Sequence, residues 1–100
     1  MLYALIGEDV PNSLDLRQQV RPAHLARIEA LQAQGRLILA GPFPAIDSPD
    51  PGPAGFSGSL IVADFGSLAE AETWFTADPY VEHGVFRSTS IRPFKQVYPK

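Results

Sequence analysis

Between positions 42 and 53 the chain places five of its ten prolines, at 42, 44, 49, 51 and 53. Proline has a locked φ and no backbone N–H. The segment 42–58 (PFPAIDSPDPGPAGFSG) is therefore expected in neither a helix nor a central strand, and it is too long for a minimal hairpin loop. It reads as an excursion between a second and a third strand, serving either as a lid or partner contact or as a flexible surface loop. It also divides the chain into two halves with the same order of segments.

The first half opens on Met1–Ile6 (MLYALI), an apolar run read as a strand ended by Gly7, followed by a turn over Glu8–Asn12. Ser13 is a candidate N-cap. Val20, His24, Ile28 and Leu31 recur at helical spacing as an inward stripe, with Arg17, Arg21, Arg27 and Glu29 mostly elsewhere around the helix. Pro22 is expected to kink that helix or to split it in two, and Gly35 to end it. Arg36–Gly41 reads as the second strand. In the second half, Ser59–Phe65 is a strand and Ser67 with Glu70 forms a capping box. Leu68, Ala71 and Phe75 form the inward stripe of that helix, and Ala77-Asp78-Pro79 stops it. Val85–Ile91 is a polar strand suited to a sheet edge, with Pro93 leaving the sheet.

The order strand, helix, strand, strand, helix, strand predicts an α+β, ferredoxin-like βαββαβ fold: one antiparallel sheet with both helices on one face. A sheet with one wet face alternates apolar and polar residues, but LYALI, LILA and LIVA do not alternate. Something must cover the second face, and a second copy of the chain is the simplest candidate. The expectation is a homodimer packed through its open sheet faces.

The 100 residues are expected to form a single domain spanning 1–100, with a formal net charge of −3. No basic stripe marks a nucleic-acid footprint. With no cysteine, disulfides, thiolate metal sites and cysteine nucleophiles are excluded. No apolar run reaches membrane-spanning length and no cationic leader precedes the first strand, so a cytoplasmic protein without membrane partners is expected. The two histidines and the acidic residues show no metal-ligand spacing on one element, and no glycine pattern cradles a phosphate. No metal or cofactor is expected.

His24 is the candidate for chemistry, because an imidazole on an apolar stripe needs a hydrogen-bond partner or a task. Asp78 is its candidate partner: antiparallel neighbouring helices bring the start of one near the end of the other. A carboxylate on one ring nitrogen would fix the tautomer and free the other nitrogen to move a proton. Arg21, three residues before His24, could hold an anionic oxygen at a cleft mouth, and Tyr80 could donate its hydroxyl. Gly41 and Phe43, at the end of the second strand, could shape a cavity wall for a small-molecule ligand. His83 is read as an exposed turn residue.

The blocks RPAHLARIEAL, QGRLILAGPFPA, DSPDPGPAGFSGS, ADPYVEHGVF and IRPFK run nearly end to end and resemble the YCII-related family of bacterial YciI-like proteins. That resemblance implies the ferredoxin-like fold, dimers of the dimeric α+β barrel type seen in muconolactone isomerase, and a histidine–aspartate pair at His24 and Asp78. A relative that removes chloride from a chlorinated hydroxyhydroquinone implies acid–base chemistry on a small oxygenated ring. The alternative is a small-ligand-binding or accessory dimer in which the pair catalyses nothing.

Overall fold

The computed structural model describes residues 1–100. In order, the elements are β1 (Leu2–Asp9), α1 (Leu14–Ala33), β2 (Leu37–Pro44), β3 (Phe56–Asp64), α2 (Leu68–Thr76), α3 (Pro79–Glu82) and β4 (Phe86–Phe94), with a single 3₁₀ turn at Gly52–Ala54. The strands form one antiparallel sheet in the order β2-β3-β1-β4, with the helices on one face. This is the ferredoxin-like arrangement. No helix is long and apolar enough to cross a membrane.

The core lies between that face and the helices. Register pairs Tyr3 with Ala63 and Leu5 with Ile61 in the two central strands. These four side chains, with Ile28 and Leu31 of α1 and Ala71 and Phe75 of α2, form one buried cluster around Phe65. The alternate positions point to the other face. Leu2, Ala4 and Ile6 lie there half-buried, beside Leu60 and Val62. Leu39, Phe43 and Phe94 extend the same surface and are 49%, 41% and 41% exposed.

Several boundaries differ from the sequence expectations for identifiable reasons. Strand β1 continues through Gly7 to Asp9. A Cβ at Gly7 would lie 2.6 Å from the Phe86 ring, so the glycine makes room for an aromatic side chain rather than ending the strand. Pro22 does not split α1: a single helix of 20 residues runs through it, with the ring on the exposed side. The excursion expected over 42–58 shrinks to 45–55, because Pro42 and Pro44 belong to β2 and residues 56–58 open β3. Proline is compatible with β2 because β2 is an edge strand with hydrogen-bond partners on one side only. Pro93 likewise stays in the sheet, opposite Tyr3 on the other edge strand, β4.

Helix α2 begins as its sequence implies, with the Ser67 hydroxyl accepting from the Glu70 N–H at 3.1 Å. The Glu70 carboxylate closes the cap on the Gly66 N–H at 2.8 Å. Leu68 faces outward, 42% exposed, leaving Ala71 and Phe75 as the inner stripe. The one-turn helix α3, unforeseen in the sequence, starts immediately after α2 and folds back against α1.

Candidate active site

Four residues of α1 are buried: Arg17, His24, Ile28 and Leu31. Their spacings of 7, 4 and 3 fall on one face of a helix. The inner stripe is therefore apolar in its second half and carries Arg17 and His24 in its first. Val20, expected on this stripe, is only half-buried, and Arg17, expected elsewhere, takes the inner position.

Asp78 is completely buried at the join of α2 and α3. The residue before a proline favours extended backbone, and Asp78 has φ −67° and ψ 138°. That conformation makes it the N-cap of α3, with Pro79 at the first helical position. Its Oδ1 accepts from the Tyr80 N–H at 2.9 Å. The His24 ring lies against the same carboxylate, with Nδ1 2.9 Å from Oδ1 and 3.0 Å from Oδ2. Arg27 completes the set, donating to Oδ2 at 3.3 Å and to the Trp74 carbonyl at 2.7 Å. Its guanidinium lies 4.2 Å from the Trp74 ring centroid. A buried carboxylate must be matched by donors, and this one has three.

An ionised carboxylate only accepts, so Nδ1 is the donor of this pair, and in the neutral imidazole Nε2 is then the nitrogen without a proton. Nε2 has no partner in the chain, and no buried side-chain polar atom is left without one, so Nε2 opens on solvent-accessible space. The Tyr80 ring stacks on the imidazole at 3.9 Å between centroids and 6° between planes, fixing the ring from below. Burial holds the Tyr80 phenol above its ordinary 10.0, partly offset by the Arg17 and Arg21 guanidiniums, so the hydroxyl is a neutral donor at physiological pH.

Both rings line a cleft of about 380 Å³ between α1 and the β2–β3 side of the sheet. Leu14, Leu25 and Ile28 of α1 face Ala40, Pro42 and Ile61 of the sheet across it, an apolar slot with polar groups at defined points. Arg17 and Arg21 are on its wall, and no carboxylate is. Arg17 is held by the Asp9 carboxylate through Nε and Nη2, and its Nη2 also donates to the Gly58 carbonyl at 2.8 Å and to Ser59 Oγ at 2.9 Å. The Ser13 hydroxyl donates to the same carboxylate instead of capping α1.

The structure thus brings together His24, Asp78, Tyr80, Arg21 and Gly41, with Asp78 behind the cleft wall and the other four lining it. Phe43 stands apart. It lies on the open sheet face over Gly58, where an added Cβ would lie 3.1 Å from its ring, and it does not line the cleft. A strand reverses its side chains at every residue, so Phe43 and its cleft-lining neighbour Pro42 point to opposite faces. His83 is exposed at the end of α3. Missing from the sequence reading are Arg17, Asp9 and Ser59. Arg17 was legible, being about two turns from His24 on the same stripe, but its charge argued for solvent.

The YCII-related domain matches residues 1–95. The chain belongs to that family. It is 53% identical over 98 residues to Protein YciI of Escherichia coli O6:H1 and of Shigella flexneri, covering 98% of this chain and 100% of each relative. An uncharacterised Haemophilus influenzae protein is 48% identical over 98 residues, with the same coverage. Among solved structures, 5-chloro-2-hydroxyhydroquinone dehydrochlorinase of Burkholderia phenoliruptrix, in complex with 2,5-dihydroxybenzoquinone, superimposes with a TM-score of 0.83 and 27% identity over 95% of this chain and 94% of that one.

Proposed function

We propose that this protein is a small acid–base enzyme acting on an oxygenated ring compound, with His24 as the proton-transfer group and Asp78 as its partner. The observation that carries the reading is the hydrogen bond from Nδ1 to a fully buried carboxylate, which leaves Nε2 on the cleft. Nε2 takes a proton from a substrate hydroxyl or activated carbon, and Asp78 stabilises the imidazolium so formed. The Tyr80 hydroxyl donates to oxygen as charge develops there. A positioned base of this kind contributes about 10²–10⁴-fold. The likeness to a dehydrochlorinase that binds a dihydroxybenzoquinone supports a ring carrying hydroxyl or carbonyl oxygens, with proton transfer coupled to elimination.

Incubation with 5-chloro-2-hydroxyhydroquinone, followed by chloride release and absorbance, tests the reading. The wild type turns the compound over, and His24→Gln is slower by about 10²–10⁴-fold. Turnover that survives in His24→Gln removes the catalytic role and leaves a binding module.

The same reading includes a homodimer in which two open sheet faces meet. Its support is the apolar surface formed by Leu2, Ile6, Leu39, Phe43, Leu60 and Phe94 on a face that no helix covers. Sedimentation equilibrium of the wild type gives twice the chain mass. Leu39→Glu, placing a charge on that face, gives the single-chain mass.

A further inference from the structure

We infer that the cleft selects a ring bearing an ionised oxygen, a phenolate or enolate, and that Arg17 is the residue that reads the charge. The inference rests on the proposed site and deepens it. Arg17 is 5% exposed, and three of its guanidinium N–H bonds are taken up internally: Nε and one Nη2 hydrogen on Asp9, the other Nη2 hydrogen on Gly58 and Ser59. Nη1 is left over. Its one polar neighbour in the chain is the Tyr80 hydroxyl, which interacts with the Arg17 guanidinium. Nη1 is not sealed off, and Arg17 is part of the cleft wall. A guanidinium clamped at Nε and Nη2 cannot turn away, so its free edge is a donor fixed before any ligand arrives. Such a group favours an oxyanion over a neutral oxygen, because the attraction of opposite charges adds to the hydrogen bond.

The surroundings agree with the sign. No carboxylate lines the cleft in a chain whose formal net charge is −3. Asp9 offsets the charge of Arg17 from behind, while Arg21, also on the cleft wall, has no ion-pair partner. Arg17 and Arg21 lie about one turn apart on α1, about 6 Å of rise, a separation comparable with opposite oxygens on a six-membered ring. The phenol of Tyr80, whose ring lies 5.0 Å from the Arg17 guanidinium carbon, adds a neutral donor on the same wall. The ligand class is a planar ring anion, with one oxygen on Arg17 and a second toward Arg21.

Equilibrium binding of two matched probes tests this: 2,5-dihydroxybenzoquinone, a vinylogous acid that is ionised at neutral pH, and 2,5-dimethoxybenzoquinone, which cannot ionise. The wild type is expected to bind the dihydroxy compound at least tenfold more tightly, with an affinity that weakens as salt rises. Removing Arg17 alone strands the buried Asp9 carboxylate, so the variant is the neutral pair Asp9→Asn/Arg17→Gln, checked for native circular dichroism. It should lose tenfold or more of the affinity for the anion and change little toward the dimethoxy compound. Arg21→Gln, at an exposed site that leaves the fold intact, should lose about threefold of the anion affinity. Equal affinity of the wild type for the two probes, or no binding of either, overturns the inference. So does natively folded Asp9→Asn/Arg17→Gln binding the anion as well as the wild type does, whatever Arg21→Gln does. Because the readout is binding, a protein that prefers the anion but turns nothing over keeps this inference and ends the catalytic reading.

Discussion

Helix α2 and the first half of α1 lie on the same face of one sheet and meet it differently. On the α2 side, Ala71 and Phe75 are 0% and 2% exposed and pack against β1 and β4 as a dry contact, Phe75 meeting Phe86 at 6.0 Å between ring centroids. On the α1 side, the positions nearest the sheet are Arg17 and His24, each held by a buried carboxylate, and a cleft of about 380 Å³ remains between helix and strands. One half of the domain supplies stability through apolar burial. The other half uses charged groups that fill space less completely and require partners behind them. Phe86 joins the two: it touches the Phe75 side and meets Tyr80 edge-on at 5.8 Å.

Mutations on the two sides should separate stability from ligand binding, and the sharpest contrast comes from the dry side. Phe75→Ala removes a buried aromatic from a packed contact and should lower unfolding free energy by about 3–5 kcal/mol. Urea titration measures that loss, and the folded fraction should bind 2,5-dihydroxybenzoquinone as the wild type does. On the wet side, Asp78→Ala leaves His24 Nδ1 and Arg27 without their acceptor and strips the cap of α3. Its cost should be about 2–3 kcal/mol, and the ¹⁵N shifts of the His24 ring should lose the fixed Nδ1–H pattern. Should Asp78→Ala prove as stable as the wild type, the pair would be holding nothing together and the comparison would fail on that side.

Two smaller effects sharpen it further. Ser67→Ala deletes the hydroxyl that caps α2 and should cost about 1 kcal/mol with the site untouched. Tyr80→Phe has a signature in pH instead. Burial raises the folded phenol above its ordinary 10.0, so the unfolded chain releases that proton first. The wild type therefore loses stability as pH rises from about 10 toward the folded value, and nothing below that range. Urea midpoints at pH 9 and pH 11 should fall further for the wild type than for Tyr80→Phe.

Periodicity placed both long helices and all four strands, because each half follows the same strand–helix–strand order and the apolar runs are long. The pairing of His24 with Asp78 was also legible, though for a partly mistaken reason. His24 sits in the middle of α1, not near its start, and what brings the carboxylate to it is α3, a single turn too short to leave a pattern. Edge strands were the harder part. Pro42, Pro44 and Pro93 read as breaks in sequence, since a local rule cannot know that a strand has a neighbour on one side only. Arg17 was hidden by the opposite error: a charge is assigned to solvent unless its buried counterion is visible, and Asp9 lies in another element. Phe43 was assigned to the wrong face, because residue parity along β2 could not be set before the register with β3 was known.

Those same prolines have a consequence for the outer rims of the sheet. An edge strand offers a row of unpaired donors and acceptors onto which any extended chain can add, the route by which sheets grow into aggregates. Here both edges are interrupted, β2 at Pro42 and Pro44 and β4 at Pro93. With N–H groups missing along each rim, further strands find no continuous ladder to extend. A domain with an apolar face needs that protection, since an open edge beside such a face would invite copies to zip side by side into a fibre.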